Sequence, residues 1–142
     1  MILPDVNILV YAYNDRASGY ERYKTWFEAQ IRGNESYGMA DIVLSGFLRI
    51  VTNPRVFDPP SSVEVALAFA ERVRHAPNCV IVAPGPRHWQ IFTSLCRSSA
   101  ARGNLIPDAY LAALAIESGS EWITMDGDFA RFPGLRWRRP FE

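Results

Sequence analysis

The chain opens on a nearly continuous apolar run, Ile2 to Tyr13, interrupted only at Pro4, Asp5 and Asn7. Continuous rather than alternating apolar character suits a strand covered on both faces, as in a parallel sheet. The run is therefore read as an opening strand with Asp5 inside it. Helical spacing follows: Tyr20, Tyr23, Trp26, Phe27 and Ile31 recur at intervals of three and four, and Gly33 ends the pattern. Ser36 to Ala40 reads as a short strand leading into a helix from Asp41 to about Val51. Pro54, Pro59 and Pro60 make the stretch from Thr52 to Ser62 a loop.

A helix over about Val63 to His75 comes next, with Leu67, Ala70 and Val73 on one side. Val80-Ile81-Val82, bounded by Pro77-Asn78 and Pro84-Gly85, reads as a buried strand. Trp89 to Arg102 and about Pro107 to Glu117 read as helices. Trp122 to Met125 is a strand cut off by Asp126-Gly127-Asp128, and Leu135 to Trp137 a last edge strand. Strands alternating with helices point to the α/β class with a doubly wound sheet. With no internal repeat, low-complexity segment or linker, residues 1–142 read as one domain, long enough to bury a genuine core.

Composition narrows the function more by exclusion than by pointing. No apolar run approaches the ~20 residues that span a bilayer. The start lacks a basic leader or small-residue cleavage site, and Cys79 and Cys96 make no disulfide framework. A reducing cytoplasm is the expected location. The formal net charge is +0, so bulk charge does not announce a nucleic-acid binder. Yet 14 of the 15 basic residues are arginine and the only lysine is Lys24. A G- and C-rich genome accounts for such a bias; guanidinium forks also suit phosphate. Chemistry that needs an active-site lysine has a single candidate.

The acids carry more. Asp5 interrupts a stretch that otherwise asks to be buried, where an ionised carboxylate costs several kcal/mol unless it is paired or bound to a cation. It is either such a ligand or a solvated turn or cap residue where the chain breaks at Pro4. Asn7, two residues on, projects to the same side of a strand. Asp126 and Asp128 follow an apolar strand directly. They read as an Asp-Gly turn with Asp128 capping a short helix, or as site residues at the carboxyl end of a strand, where open parallel sheets bind ligands. Asp108 lies in the first turn of the most apolar helix. An acid there complements the helix dipole. It also shares a face with Leu111, Ala112 and Ala115, the side expected to pack on the sheet, and that makes it the strongest single candidate.

Four carboxylates brought together cannot all stay ionised without a cation. Oxygen donors favour Mg²⁺ or Mn²⁺ over zinc, and no His-Cys arrangement has zinc-site spacing. His75 and His88 stand alone and read as surface or packing residues.

With these residues in place the chain resembles the PIN-domain ribonucleases, and specifically the VapC toxins of bacterial toxin–antitoxin systems. Four segments carry the likeness in order: Leu3-Pro4-Asp5-Val6-Asn7, the run Gly46 to Phe57, Asn104 to Ala113, and Thr124 to Leu135. The resemblance implies a PIN-like three-layer sandwich, a central parallel five-stranded sheet flanked by helices. It implies an acidic pocket holding Mg²⁺ or Mn²⁺, with Asp5, Asp108 and Asp126 as metal ligands, Asp128 as a further catalytic acid and Asn7 in support. The glutamate usual early in the family's second helix is missing from Val43 to Arg49, and Asp41 lies just upstream.

By the same resemblance the reaction is metal-assisted hydrolysis of an RNA phosphodiester, in tRNA, rRNA or mRNA. Arg49 and Arg102 are candidates to hold the RNA backbone, ahead of Arg55. A VapB-type antitoxin and a second copy of the chain are the implied partners. The helix from Tyr20 to Ile31 is compatible with such an interface or with plain core. Two alternatives differ in class. A phosphatase of the haloacid-dehalogenase type or a phospho-receiver needs a well-placed lysine, and Lys24 lies in the first helix. A PIN-like module that binds RNA or antitoxin without cutting is kept open by the missing glutamate.

Overall fold

The computed structural model describes residues 1–141. In chain order its elements are β1 (Ile2–Pro4), α1 (Val6–Tyr13), α2 (Tyr20–Arg32), β2 (Tyr37–Met39), α3 (Asp41–Val51) and α4 (Val63–His75). After these come β3 (Cys79–Ile81), α5 (His88–Ser98), α6 (Leu105–Ser118), β4 (Glu121–Ile123), a 3₁₀ turn (Gly127–Arg131) and β5 (Trp137–Arg138). The five strands form one sheet in the order β3-β2-β1-β4-β5, every pairing parallel. The expected five-stranded parallel sheet flanked by helices is the fold observed.

That strand order decides where a site can form. From β1 the chain adds β2 and then β3 on one side, and later returns to place β4 and β5 on the other. The connections leave β1 and β4 in opposite directions, so a crevice opens between their carboxyl ends. Asp5 stands at the end of β1, and Thr124 to Asp126 follow β4.

The opening strand is far shorter than its apolar pattern suggests. Only Ile2–Pro4 is extended, and from Val6 onward the same apolar run is helix. The cause is local: the Asp5 side chain accepts from the Val6 amide at 2.6 Å and caps α1. Ile8, Leu9 and Ala12 then bury on one face of a helix packed against α2 and α3. A helix this enclosed is apolar nearly all round, and over a short span that pattern matches a buried strand.

Three further expectations shift. Val80 and Ile81 are 42% and 41% exposed, because β3 ends the sheet instead of lying inside it. The helix expected to reach Arg102 stops at Ser98, since Ala100 turns into the left-handed region at φ 50. The late helix starts at Leu105, placing Pro107 in its first turn, where a missing N–H costs nothing. The aromatic stripe of α2 is core: Tyr23, Phe27 and Ile31 are buried.

Candidate active site

Asp5 joins strand to helix with no loop between them. Its amide donates to the Ile123 carbonyl at 2.8 Å, extending the β1–β4 ladder, while its carboxylate caps α1. The residue is only 6% exposed. Its second oxygen accepts from the Thr124 hydroxyl at 2.6 Å and from the Asn7 side-chain amide at 3.3 Å. Asn7 is therefore beside Asp5 as expected, but from the first turn of a helix.

Thr124 is the residue that sequence reasoning missed. Its hydroxyl is fully buried, donates to Asp5, and accepts from the Asp126 amide at 3.0 Å and the Asn7 side chain at 3.2 Å. The Met125 amide adds a bond to Asn7 Oδ1 at 3.3 Å. One side-chain oxygen thus laces the ends of β1 and β4 to the start of α1. A threonine closing a strand is too common to signal this, and its partner is 119 residues away. Replacing it with valine keeps the shape, removes the donor to Asp5 and orphans the Asp126 amide. Thr124→Val is expected to cost about 2–3 kcal/mol and to lower any activity of the site, while Thr124→Ser restores most of both. Thermal melts and turnover of the two variants check this; equal losses in both would show that packing, not the hydroxyl, matters.

Asp126 is extended at φ −90, ψ 110, and accepts from the Asp128 amide at 2.9 Å, so Asp126 and not Asp128 caps the 3₁₀ turn. Asp108 stands in the first turn of α6, half-buried, with Ala112 and Ala115 below it against the sheet. The electrostatics tie the four together. Burial pushes the Asp108 carboxyl up to about 6, helped by the charges of Asp126, Asp5 and Asp128. Burial also lifts Asp5 to about 6, against the lowering bonds from Thr124 and Val6, with Asp126 adding to the rise. The four predicted acids share one field.

Asp41 stands outside it. Arg74 grips both of its oxygens at 2.8 and 3.3 Å, which lowers its carboxyl, and it acts on neither Asp5 nor Asp108. It is not drawn into the group of four. Of the candidate arginines, Arg102 lines the same cavity as Asp108 and Asp128. Arg49 lines a separate apolar groove with Val6, Ile42 and Pro107, and Arg55 lies exposed in the loop beyond α3. His88 is buried and bonded to the Tyr110 carbonyl, a packing residue, and His75 is at the surface beside Glu71.

The donor set suits a hard divalent cation in its chemistry, being carboxylate oxygens that repel one another. As they stand, no three His, Cys, Asp or Glu side chains among the described residues are drawn together closely enough to hold an ion. Among the described residues, no helix is long and apolar enough to cross a membrane.

A parallel sheet that gathers aspartates at its switch point, one of them buried, defines a class of acid-centred α/β proteins. The PIN domain family model matches residues 2–135, and the chain belongs to the PIN-domain family. Its relatives include the VapC43 ribonuclease of Mycobacterium tuberculosis, 41% identical over 142 residues, spanning 100% of this chain and 97% of that protein. The VapC25 ribonuclease of the same organism is 37% identical over 140 residues, with 99% of each covered. Among solved structures, VapBC-1 of nontypeable Haemophilus influenzae superposes with a TM-score of 0.71 at 17% identity, covering 100% of each chain. The VapC20 toxin of M. tuberculosis gives 0.66 at 17% identity, covering 96% of this chain and 99% of that one.

Proposed function

We propose that the chain is a divalent-metal-dependent endoribonuclease acting as the toxin of a VapBC-type pair, with Mg²⁺ or Mn²⁺ as its cofactor. The observation that carries this reading is the shared field of Asp5, Asp108, Asp126 and Asp128 at the carboxyl ends of β1 and β4. Repulsion of that kind, maintained in a half-buried crevice, is a standing cost that a bound cation removes.

Asp5, Asp108 and Asp126 would hold the ion. When bound, it supplies Lewis acidity toward the phosphodiester and neutralises charge as it develops. The protein's own part is positional. Thr124 and Asn7 lock the Asp5 carboxylate in place, much as outer-shell partners fix ligating groups elsewhere. Asp126 has one oxygen engaged by the Asp128 amide, leaving the other to orient a water or take its proton. Asp128 steadies the loop that carries Asp126.

Relatives named as ribonucleases, such as VapC43, support RNA as the substrate, and the structural neighbour VapC20 is described as a toxin that cleaves the sarcin–ricin loop. Structures titled as toxin–antitoxin complexes support an antitoxin partner. The apolar groove of about 470 Å³ between α3 and α6 offers a surface for a protein chain. Pairing of two copies is part of the same reading.

Purified protein, freed of antitoxin, is expected to cut structured RNA with Mg²⁺ or Mn²⁺ and to stop in EDTA. The missing glutamate and the spread of the acids favour a second reading, a binding module without catalysis. RNA bound but uncut under every metal condition selects that reading.

A further inference from the structure

The cavity beside the acids contains two cations as well as two carboxylates. It measures about 520 Å³, and Arg102, Asn104, Asp108, Asp128 and Arg131 line it. Where arginines and carboxylates meet on other parts of the surface they pair, as Arg74 does with Asp41 at 2.8 Å and Arg138 with Glu121 at 2.9 Å. Among the described residues, the Arg102 and Arg131 guanidiniums make no ion pair or hydrogen bond, although two aspartates share their cavity.

Their placement is also specific. Arg131 ends the 3₁₀ turn that begins just after Asp126. Arg102 sits between Ala100 and Gly103, both in the left-handed region at φ 50 and φ 58, in the turn that delivers α6 and Asp108. Backbone conformations that L-residues avoid persist where the surrounding structure demands them. Asn104 occupies the capping position of α6 but makes no capping bond, so its amide remains available within the cavity.

We propose that Arg102 and Arg131, with the Asn104 amide, form a clamp for an RNA backbone phosphate next to the one that is cut. The proposal rests on the ribonuclease reading. The planar guanidinium fork matches two phosphate oxygens at once, and two forks in the cavity that holds Asp108 and Asp128 can fix the strand's direction across the acids. Asn104 is placed to contact the adjoining ribose or base edge. These are positioning residues, since the acids remain the groups that act on the scissile bond.

The test is binding of a fluorescein-labelled single-stranded RNA in EDTA, followed by anisotropy across ~50–200 mM KCl. Arg102→Ala and Arg131→Ala are each expected to weaken binding about tenfold. Each should reduce the magnitude of the salt slope by about 0.7, and the double variant by about 1.4. Arg131→Lys should recover the slope but not the full affinity, because an ammonium lacks the fork. In cleavage assays KM rises while kcat holds. Arg55→Ala, an equal loss of charge in the loop beyond α3, should change neither.

Unchanged slopes in the clamp variants, or an equal change in Arg55→Ala, overturn the clamp and leave the nuclease standing. Reduced slopes in a protein that cuts no RNA support the clamp and sink the nuclease reading. A wild type that neither binds nor cuts RNA sinks both. Both arginines are exposed, so the variants should melt like the wild type.

Discussion

Asp108→Asn is expected to lower RNA cleavage a hundred- to a thousandfold while leaving the fold intact. The substitution keeps the shape of the side chain and removes one negative oxygen from a site that would hold its cation with three carboxylates. Losses of about that size accompany removal of a single preorganised electrostatic group, and they correspond to roughly 3–4 kcal/mol of transition-state stabilisation. Stability should not fall with activity. Asp108 is held near 6 by burial and by three like charges, so losing its charge relieves strain in the metal-free protein. The acid's favourable interaction with the α6 dipole offsets part of that gain, by about 0.5 kcal/mol. Turnover with Mg²⁺ and melting in EDTA, measured on one preparation, separate the two effects. Cleavage within tenfold of wild type would remove Asp108 from the site.

The second large effect concerns pH and needs no substrate. In the metal-free protein Asp5 is pushed up to about 6, against 3.8 for an ordinary aspartate, mainly by burial. Between those values the folded state holds a proton that the unfolded chain has released. Stability therefore falls as pH rises through the window, and the full cost is present above it. Two pH units correspond to about 3 kcal/mol. Asp108 adds to the loss in the same direction, and solvent screening limits its share to about 1 kcal/mol. Part of that cost is already present at pH 5, so about 1.4 kcal/mol from Asp5 remains between pH 5 and pH 8, and the chelated protein should melt roughly 5 °C higher at pH 5. Carboxylates with lowered values, such as Glu28 and Asp41, act in the opposite sense, but from their ordinary values of 4.5 and 3.8 downward, below the pH 5 to pH 8 comparison. Saturating Mg²⁺ or Mn²⁺ at pH 8 should recover the difference, supplying about 2.7 kcal/mol at a hundred times its dissociation constant. Asp5→Asn should flatten the profile. A melting point that rises with pH in EDTA contradicts the burial and repulsion described above.

The alternation of apolar runs with helical spacing made the α/β sheet legible, because each parallel strand must be followed by a crossover. Asp108 was legible for a related reason: its helix face is written in Ala112 and Ala115, which are indeed buried. Asp5 stood out for its cost in an apolar stretch, and it is indeed buried, but it caps a helix where the pattern read as strand. Ile8 to Ala12 read alike as an enclosed strand and as an enclosed helix, and only the capping bond to Val6 decides between them. Val80 and Ile81 misled in the opposite way, since no local pattern tells an apolar edge strand from a central one. Thr124 and Arg131 stayed hidden because a threonine at a strand end and one arginine among 14 carry no local signal. Their meaning comes from what lies across the crevice.

The direct passage from β1 into α1 at Asp5 bears on how the protein moves. That residue is held by a sheet bond to Ile123, by its own helix cap and by the buried Thr124 hydroxyl, so it cannot shift without unzipping the middle of the sheet. Asp108 hangs instead from a turn with two left-handed residues at the open end of α6. One wall of the crevice is thus anchored through the centre of the sheet, and the other is carried by the first turn of α6 and the tight turn before it. A change in that turn would move Asp108 against an Asp5 that stays in place.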